Sequence, residues 1–419
     1  MRITLEYGRT GLPVDVPDGA TVLEARQAPG LPDEAAALRV ALRAPLGAAP
    51  LAGSVRAADR VAIVFPDITR PMPRQRVLSV LLDELRHVPH QNITLINAVG
   101  THRPNTREEL EAMLGREILD AYRVVQHDPR AEAAMRPVGI SSFGNPVRVN
   151  AGFLDAEVKI LTGFIEPHFF AGFSGGPKAV LLGMAAFDNI LRNHSAAMIA
   201  NPLATYASTD GNPIYEEMKQ IAEMVGPCFA LNVTLNRARQ ITGVFAGDVF
   251  QAHRRGADFA RSVSLQKVEA PFDVVVTTNS GFPLDLNLYQ AVKGMDTAAR
   301  IVKPGGAVVM AAECSHGVPP EGNFRELLRA RCSPRELLEM IERFETPIQD
   351  QWQVQILARI LMRTRVYFYS SLPEEEVRGA HLIPTRNIAE TVQSLLASAG
   401  AGARLAVIPE GPQVIPCLP

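Results

Sequence analysis

Two imidazoles, a primary amine and a pair of adjacent glycines gather in one short stretch of this chain. Residues 163–178 read GFIEPHFFAGFSGGPK, bringing His168 and Lys178 into one loop, and the chain runs on through Asn193 to His194. Glycine lacks a Cβ, so Ser174, Gly175 and Gly176 can approach a phosphate-bearing ligand closely and turn N–H groups toward it. Lys178 beside such a loop can neutralise the anion or bond to the ligand covalently. His168 stands among Pro167, Phe169 and Phe170, where desolvation favours the neutral, proton-accepting imidazole. His194 follows the helical stretch Phe187–Arg192 and can bind a soft or borderline metal through one nitrogen, but only a cofactor supplying further ligands would complete such a site.

Simpler readings cover parts of the same run. A glycine-rich strand-to-helix connection can be only a turn. Residues 172–176 match the Gly-x-Ser-x-Gly elbow of serine hydrolases, yet the elbow needs its serine directly after a strand, and the strand Val158–Phe164 ends about ten residues before Ser174. A Walker-type phosphate loop is excluded, because Pro177 precedes Lys178 and Ala179 follows it, leaving no hydroxyl for magnesium.

Further polar groups stand at other strand ends. Asp67, Thr69 and Arg70 lie between prolines, where a rigid turn can present a carboxylate and a guanidinium to one ligand, or can be an ordinary helix cap with a surface arginine. His102 follows a strand and Gly100, suited either to proton transfer or to a structural hydrogen bond. Gln290 and Lys293, three residues apart beside Tyr289, share one helix face and could grip a carboxylate. Trp352, in the helical stretch Asp350–Thr364, reads as packing, and His87, His90, His127, His253, His316 and His381 have no supporting neighbours in sequence.

Apolar strand-like runs alternate with helical patterns, which predicts α/β layering with mainly parallel strands. Strands are expected at Arg60–Phe65, Asn92–Asn97, Tyr122–Gln126 and Val158–Phe164, with helices at Arg74–Val88 and Arg107–Leu114, the latter capped by Asn105 or Thr106. The segments Ile3–Glu6 and Pro13–Val16 read as an edge hairpin. A second series starts at Phe272–Asn279, continues through helix Leu288–Val302 and strand Ala307–Ala312, and runs mainly helical to Ser398. The expectation is two α/β domains with a cofactor cleft between them: residues 1–265, joined by the C-terminal strand within 400–419, and residues 266–399. Ligands of open parallel sheets bind beyond the carboxyl ends of strands, where Asp67, His102 and the 163–178 loop all fall.

The 419 residues, 47% hydrophobic and 21% charged, suit a globular protein with two cores. No apolar run reaches the roughly 18 residues of a spanning helix, and the start lacks a secretory h-region, so the cytoplasm is the expected location. Cys228, Cys314, Cys332 and Cys417 are too irregularly spaced for a zinc motif or a disulfide framework. A net charge of −2 without a basic block argues against nucleic acid and leaves small-molecule chemistry.

Taken together, Asp67-x-Thr-Arg70, Thr101-His102-Arg103, Glu166-Pro-His168 with Ser174-Gly-Gly-Pro-Lys178, Asn193-His194 and Gln290-x-x-Lys293 resemble the nickel-pincer lactate racemase family over most of the chain. The resemblance implies a racemase or epimerase acting at C2 of a 2-hydroxy acid. It implies a nickel-pincer nucleotide (pyridinium-3-thioamide-5-thiocarboxylic acid mononucleotide) attached at Lys178, with His194 as the protein's nickel ligand and maturation enzymes that make the cofactor. His102 and His168 then match the acid/base pair. Asp67, Thr69, Arg70, Ser174, Gly175 and Gly176 match cofactor-binding positions, and Arg70, Gln290 and Lys293 match substrate-binding ones. The C2–H of an ionised hydroxy acid is a poor acid, so its removal as hydride by such a cofactor, with a base taking the hydroxyl proton, is the expected route. Two rival expectations are an epimerase of a larger hydroxy acid or sugar acid, and a nickel-cofactor-binding protein without turnover.

Overall fold

The computed structural model describes residues 1–26 and 28–418, and it divides into two compact units, each mixed α/β with a mainly parallel sheet. The first contains 28–193 and Asn201–Val263. Its inner strands are continuous apolar runs such as Val61–Phe65, buried on both faces as parallel sheets require. Across the sheet the order is Ile241–Asp248, Phe229–Leu235, Val158–Phe164, Val61–Pro66, Ile93–Ala98, Arg123–Gln126. All neighbours are parallel except the hairpin formed by the first two. Numbered along the chain this is 3-2-1-4-5-6, the doubly wound order. The chain therefore leaves Val61–Pro66 in one direction and returns on its other side at Val158–Phe164. The loops after these two strands diverge from one switch point.

Helix Arg74–Glu84 buries Val77, Leu78, Leu81 and Leu82 on this core. It stops short of the expected Val88 because Leu85, Arg86 and Val88 tighten onto carbonyls three residues back, ahead of Pro89. Helix Arg107–Leu114 starts at Thr106, whose hydroxyl accepts the Glu109 N–H while the Glu109 carboxylate accepts the Thr106 N–H.

The second unit contains Met1–Arg26, His194–Ala200 and residues 264–418. The six strands of its main sheet are all parallel, in the order Ile383–Pro384, Arg365–Tyr369, Val302–Ala311, Phe272–Thr278, Leu405–Ile408, Thr21–Val22. Both chain ends depart from expectation here. The strand Leu405–Ile408 is buried on both faces beside Phe272–Thr278, because a wholly apolar run gains most from an interior slot in its own sheet. The hairpin Arg2–Leu5 with Leu12–Asp15 joins the same unit, burying Leu5, Val14 and Val16 in its core. The helix after Phe272–Thr278 ends at Ala299, the next strand begins at Val302, and strands Arg365–Tyr369 and Ile383–Pro384 interrupt the expected helical run. Among the described residues no helix is long and apolar enough to cross a membrane.

Gly294 lies where helix Leu288–Ala299 crosses Thr278, and a Cβ there would overlap the Thr278 carbonyl. Gly294→Ala should lower unfolding free energy by about 1–3 kcal/mol despite alanine's better helix propensity, in urea titrations of the whole chain. An increase would contradict this packing.

Candidate active site

The switch point of the first unit carries most of the chemistry-bearing groups. Val64 pairs with Leu161 across the two strands, and the Thr162 hydroxyl donates to the Val64 carbonyl at 2.8 Å. On the Val61–Pro66 side, Asp67 is 3% exposed and accepts two hydrogen bonds, from the Thr69 hydroxyl at 2.7 Å and from His102 Nδ1 at 2.7 Å. Burial alone would raise the Asp67 carboxyl, but His102, Arg70 and Thr69 outweigh it, and the group is held below its ordinary value. A carboxylate can only accept, so Nδ1 of His102 carries the hydrogen and a neutral ring keeps a lone pair at Nε2. The buried Asp67 carboxylate thus fixes the orientation of the His102 ring and leaves Nε2 able to accept a proton.

Arg74, which sequence reasoning passed over, builds this turn. It is 6% exposed and donates to the carbonyls of Pro66 at 2.6 Å, Met72 at 3.2 Å, Arg70 at 2.8 Å and Asp67. Burial draws its guanidinium down to about 10, still charged at neutral pH. Only a planar fork of five N–H groups can gather so many carbonyls.

On the other side of the switch point, the loop after Val158–Phe164 is clasped by Ser174. Its hydroxyl donates to the Phe164 carbonyl and accepts the Glu166 N–H, each at 2.9 Å. That engagement, with 6% exposure, removes the basis for a serine nucleophile and makes Ser174 the staple of the loop. Pro167–His168 pairs antiparallel with Gly172–Phe173. His168 lies against Phe169 and Phe170 at ring separations of 5.1 and 4.5 Å. Its Nδ1 accepts the Ala171 N–H at 3.3 Å, so a neutral His168 carries its hydrogen on Nε2, the opposite tautomer to His102. Gly175 and Gly176 adopt φ of +79° and +54°, and Lys178, 8% exposed, opens helix Lys178–Met184.

Beneath that loop stand His253, Asn232 and Tyr215, none of which was singled out from sequence. Their signal is long-range: His253 lies on helix Val249–Ser264 and meets the loop only in the fold. Burial draws the His253 ring down to about 4, and the Lys178 charge acts in the same direction.

The remaining candidates belong to the second unit. There the His194 ring meets Trp352 edge-on at 5.0 Å, and Trp352 Nε1 donates to the Tyr289 hydroxyl at 2.9 Å. Gln353 donates to the Tyr289 carbonyl. The segment Ala196–Ala200 is tied to helix Gln351–Leu361 by Gln355 donating to the Ala196 carbonyl at 2.9 Å and Arg359 to the Ile199 carbonyl at 2.8 Å, which fixes the chain beside His194. Asn287 caps helix Leu288–Ala299 by accepting the Gln290 N–H, and Lys293 Nζ donates to Gln290 Oε1 at 2.7 Å. Trp352, read from sequence as packing, thus braces both His194 and Tyr289.

Against known proteins, a lactate racemase N-terminal domain model matches residues 7–207 and a lactate racemase C-terminal domain model matches 267–416. The lactate racemase of Thermoanaerobacterium thermosaccharolyticum is 34% identical over 422 residues, 99% of this chain and 98% of that one. The chain belongs to the lactate racemase family. It is an isomerase. The lactate racemase of Lactiplantibacillus plantarum is 36% identical over 378 residues, 88% of each chain. The solved lactate racemase apoprotein from T. thermosaccharolyticum superposes with a TM-score of 0.93 at 32% identity, covering 99% of this chain and 100% of that one. A Thermotoga maritima protein shares the fold, with a TM-score of 0.69 at 18% identity over 93% of this chain and 99% of that one.

In this family member the glycine pair and Lys178 lie on one closely packed loop. A Cβ at Gly175 or Gly176 would collide with Asn232 or His253, so only glycine lets the loop before Lys178 pack this closely on those residues. Among the described residues no group of three or more His, Cys, Asp or Glu could hold a metal ion.

Two expectations follow. Asp67→Asn should lower kcat by about 100-fold or more in steady-state assays of loaded enzyme, since an amide cannot stabilise the protonated His102. A fall of less than threefold would contradict the pairing. For pH, an unfolded histidine binds a proton near 6.5 whereas folded His253 resists until about 4. Its contribution is therefore full above about 6.5 and is lost, by about 3 kcal/mol, as pH falls to about 4. His253→Gln should flatten the stability decline across that window in urea melts, and an unchanged slope would oppose the assignment.

Proposed function

We propose that this chain inverts C2 of a small 2-hydroxy acid, lactate or a close relative, using a nickel-pincer pyridinium mononucleotide attached at Lys178. When bound, that group would supply a reversible acceptor for the C2 hydrogen as hydride. Lys178 would hold it covalently, Ser174, Gly175, Gly176, Asp67, Thr69 and Arg70 would contact it, and His194 would be the protein's ligand to nickel. Lactate is chosen because two relatives bear that name at 34% and 36% identity. A cytoplasmic setting with maturation enzymes to make the cofactor goes with this reading.

The chain's own residues handle protons and charge. Taking C2–H away as a proton would place a carbanion beside a carboxylate, so the side chains work at the hydroxyl oxygen instead. His102 receives that proton at Nε2, with Asp67 stabilising the resulting imidazolium. His168 serves the opposite enantiomer, and in its neutral form it presents an N–H from Nε2. The proton count balances when His168 enters protonated and gives its Nε2 hydrogen to the keto oxygen while His102 keeps the hydroxyl proton, the two exchanging roles in the reverse direction. Arg70, Gln290 and Lys293 bind the carboxylate, and the 2.7 Å bond from Lys293 to Gln290 sets the ammonium and amide as one unit.

The observation that carries this reading is the Asp67–His102 pair on one side of the switch point, with His168 and Lys178 on the loop from its other side. Enzyme made with its maturation partners should racemise one pure enantiomer in D2O while keeping protium at C2, read by NMR of the product. Lys178→Arg should abolish both the turnover and the mass adduct. Deuterium at C2 would overturn the hydride route.

A further inference from the structure

His253 is wholly buried, and its two nitrogens have partners of fixed polarity. Nε2 lies 3.0 Å from the Ser174 carbonyl oxygen, which can only accept, so Nε2 carries the hydrogen. The neutral ring then keeps a lone pair at Nδ1, 3.1 Å from the Tyr215 hydroxyl, and Tyr215 is the donor. The result is a directional pair of bonds, Tyr215 O–H to Nδ1 and Nε2–H to Ser174. The rings stack at 5.5 Å and 21°, which holds the imidazole plane.

The loop rests directly on this imidazole. A Cβ at Gly176 would overlap the His253 ring, and the Gly176 N–H reaches Asn232 Oδ1 at 3.4 Å. Tyr215 is itself placed by Asn212, which caps helix Pro213–Met224 through the N–H groups of Ile214 and Tyr215. The Asn212 amide also donates to the carbonyls of Phe170 and Ser208, each at 2.9 Å. One helix start thus grips the loop twice, near His168 through Asn212 and before Lys178 through Tyr215 and His253.

We propose that Tyr215 and His253 form a positioning strut that sets the Ser174–Gly175–Gly176 backbone and, through it, the Lys178 amine for attachment of the mononucleotide. This rests on the reading of Lys178 as the tether. Neither residue need touch substrate. A neutral imidazole suits the task, since a charged one would repel the Lys178 ammonium and lose the Tyr215 bond. A buried ring with both nitrogens satisfied is also rigid, because breaking either bond leaves an unpaired polar atom in the interior.

Three variants separate positioning from bulk packing: His253→Gln, which keeps an N–H donor; His253→Leu, which fills space without one; and Tyr215→Phe, which deletes a single oxygen. In apoprotein, acylation of Lys178 by acetic anhydride is measured by peptide mapping against exposed Lys267 as internal reference. In protein made with maturation enzymes, the adduct fraction at Lys178 is read by intact mass. His253→Leu should raise the Lys178 to Lys267 acylation ratio at least fivefold as the loop loosens, and cut the adduct fraction at least fivefold. His253→Gln should stay within twofold of wild type in both, and Tyr215→Phe should fall between. If His253→Leu fails to fold, Tyr215→Phe carries the comparison. His253→Leu or Tyr215→Phe matching wild type, or His253→Gln matching His253→Leu, overturns the strut. A wild-type protein without any Lys178 adduct overturns the tether reading instead, and the acylation ratio still decides the strut.

Discussion

The parallel pairing of Val61–Val64 with Val158–Leu161 is the constraint on which the first unit's chemistry depends. Two adjacent parallel strands end on the same edge of their sheet, and because the winding reverses between them their following loops separate rather than cover each other. One loop carries Asp67 and Arg70; the other carries His168 and Lys178. Both strands are buried on two faces over most of their length, through mainly apolar residues. Positions 61–65 and 160–164 are all buried, so the register is held by core contacts on both sides of the sheet.

Above that frame, the site is held by polar groups that are buried and satisfied. Arg74 gathers four carbonyls under the Asp67 turn, Ser174 closes its loop onto Phe164 and Glu166, and His253 holds the Ser174 carbonyl from below. Each interaction is modest in net stability, about 1 kcal/mol, but leaving one partner unpaired in the interior costs about 1–3 kcal/mol. That asymmetry makes such networks good at specifying geometry. The aromatic bracing of His194 by Trp352, with Gln355 and Arg359 holding the neighbouring backbone, follows the same logic in the second unit.

Much of this was legible in the sequence where the signal is local. The strand Val61–Pro66 announces itself as an uninterrupted apolar run, Val158–Phe164 as a mainly apolar one, the Thr106 cap as a Thr-x-x-Glu spacing, and the 163–178 loop as glycines next to a lysine. What was not legible depends on contacts distant in sequence. Leu405–Ile408 reads as a strand from its residues, but its place beside Phe272–Thr278 is decided by which sheet has a vacant interior slot. His253 looks isolated because its partners, Ser174 and Tyr215, lie 79 and 38 residues away. Arg74 resembles any charged residue in a first helical turn until the carbonyls around it are seen. The bond from His102 to Asp67 joins residues 35 apart, a contact that no local spacing could reveal.

The central claim is that His102 and His168 divide one reaction between two hands of the substrate. Quenched single turnovers of loaded His102→Gln and His168→Gln with each pure enantiomer of lactate, quantifying the 2-oxo acid released, test it most directly. The account predicts that each variant still oxidises one enantiomer, that the enantiomer differs between the two variants, and that neither variant racemises. Loss of the same enantiomer in both variants, or full racemisation by either, would contradict it.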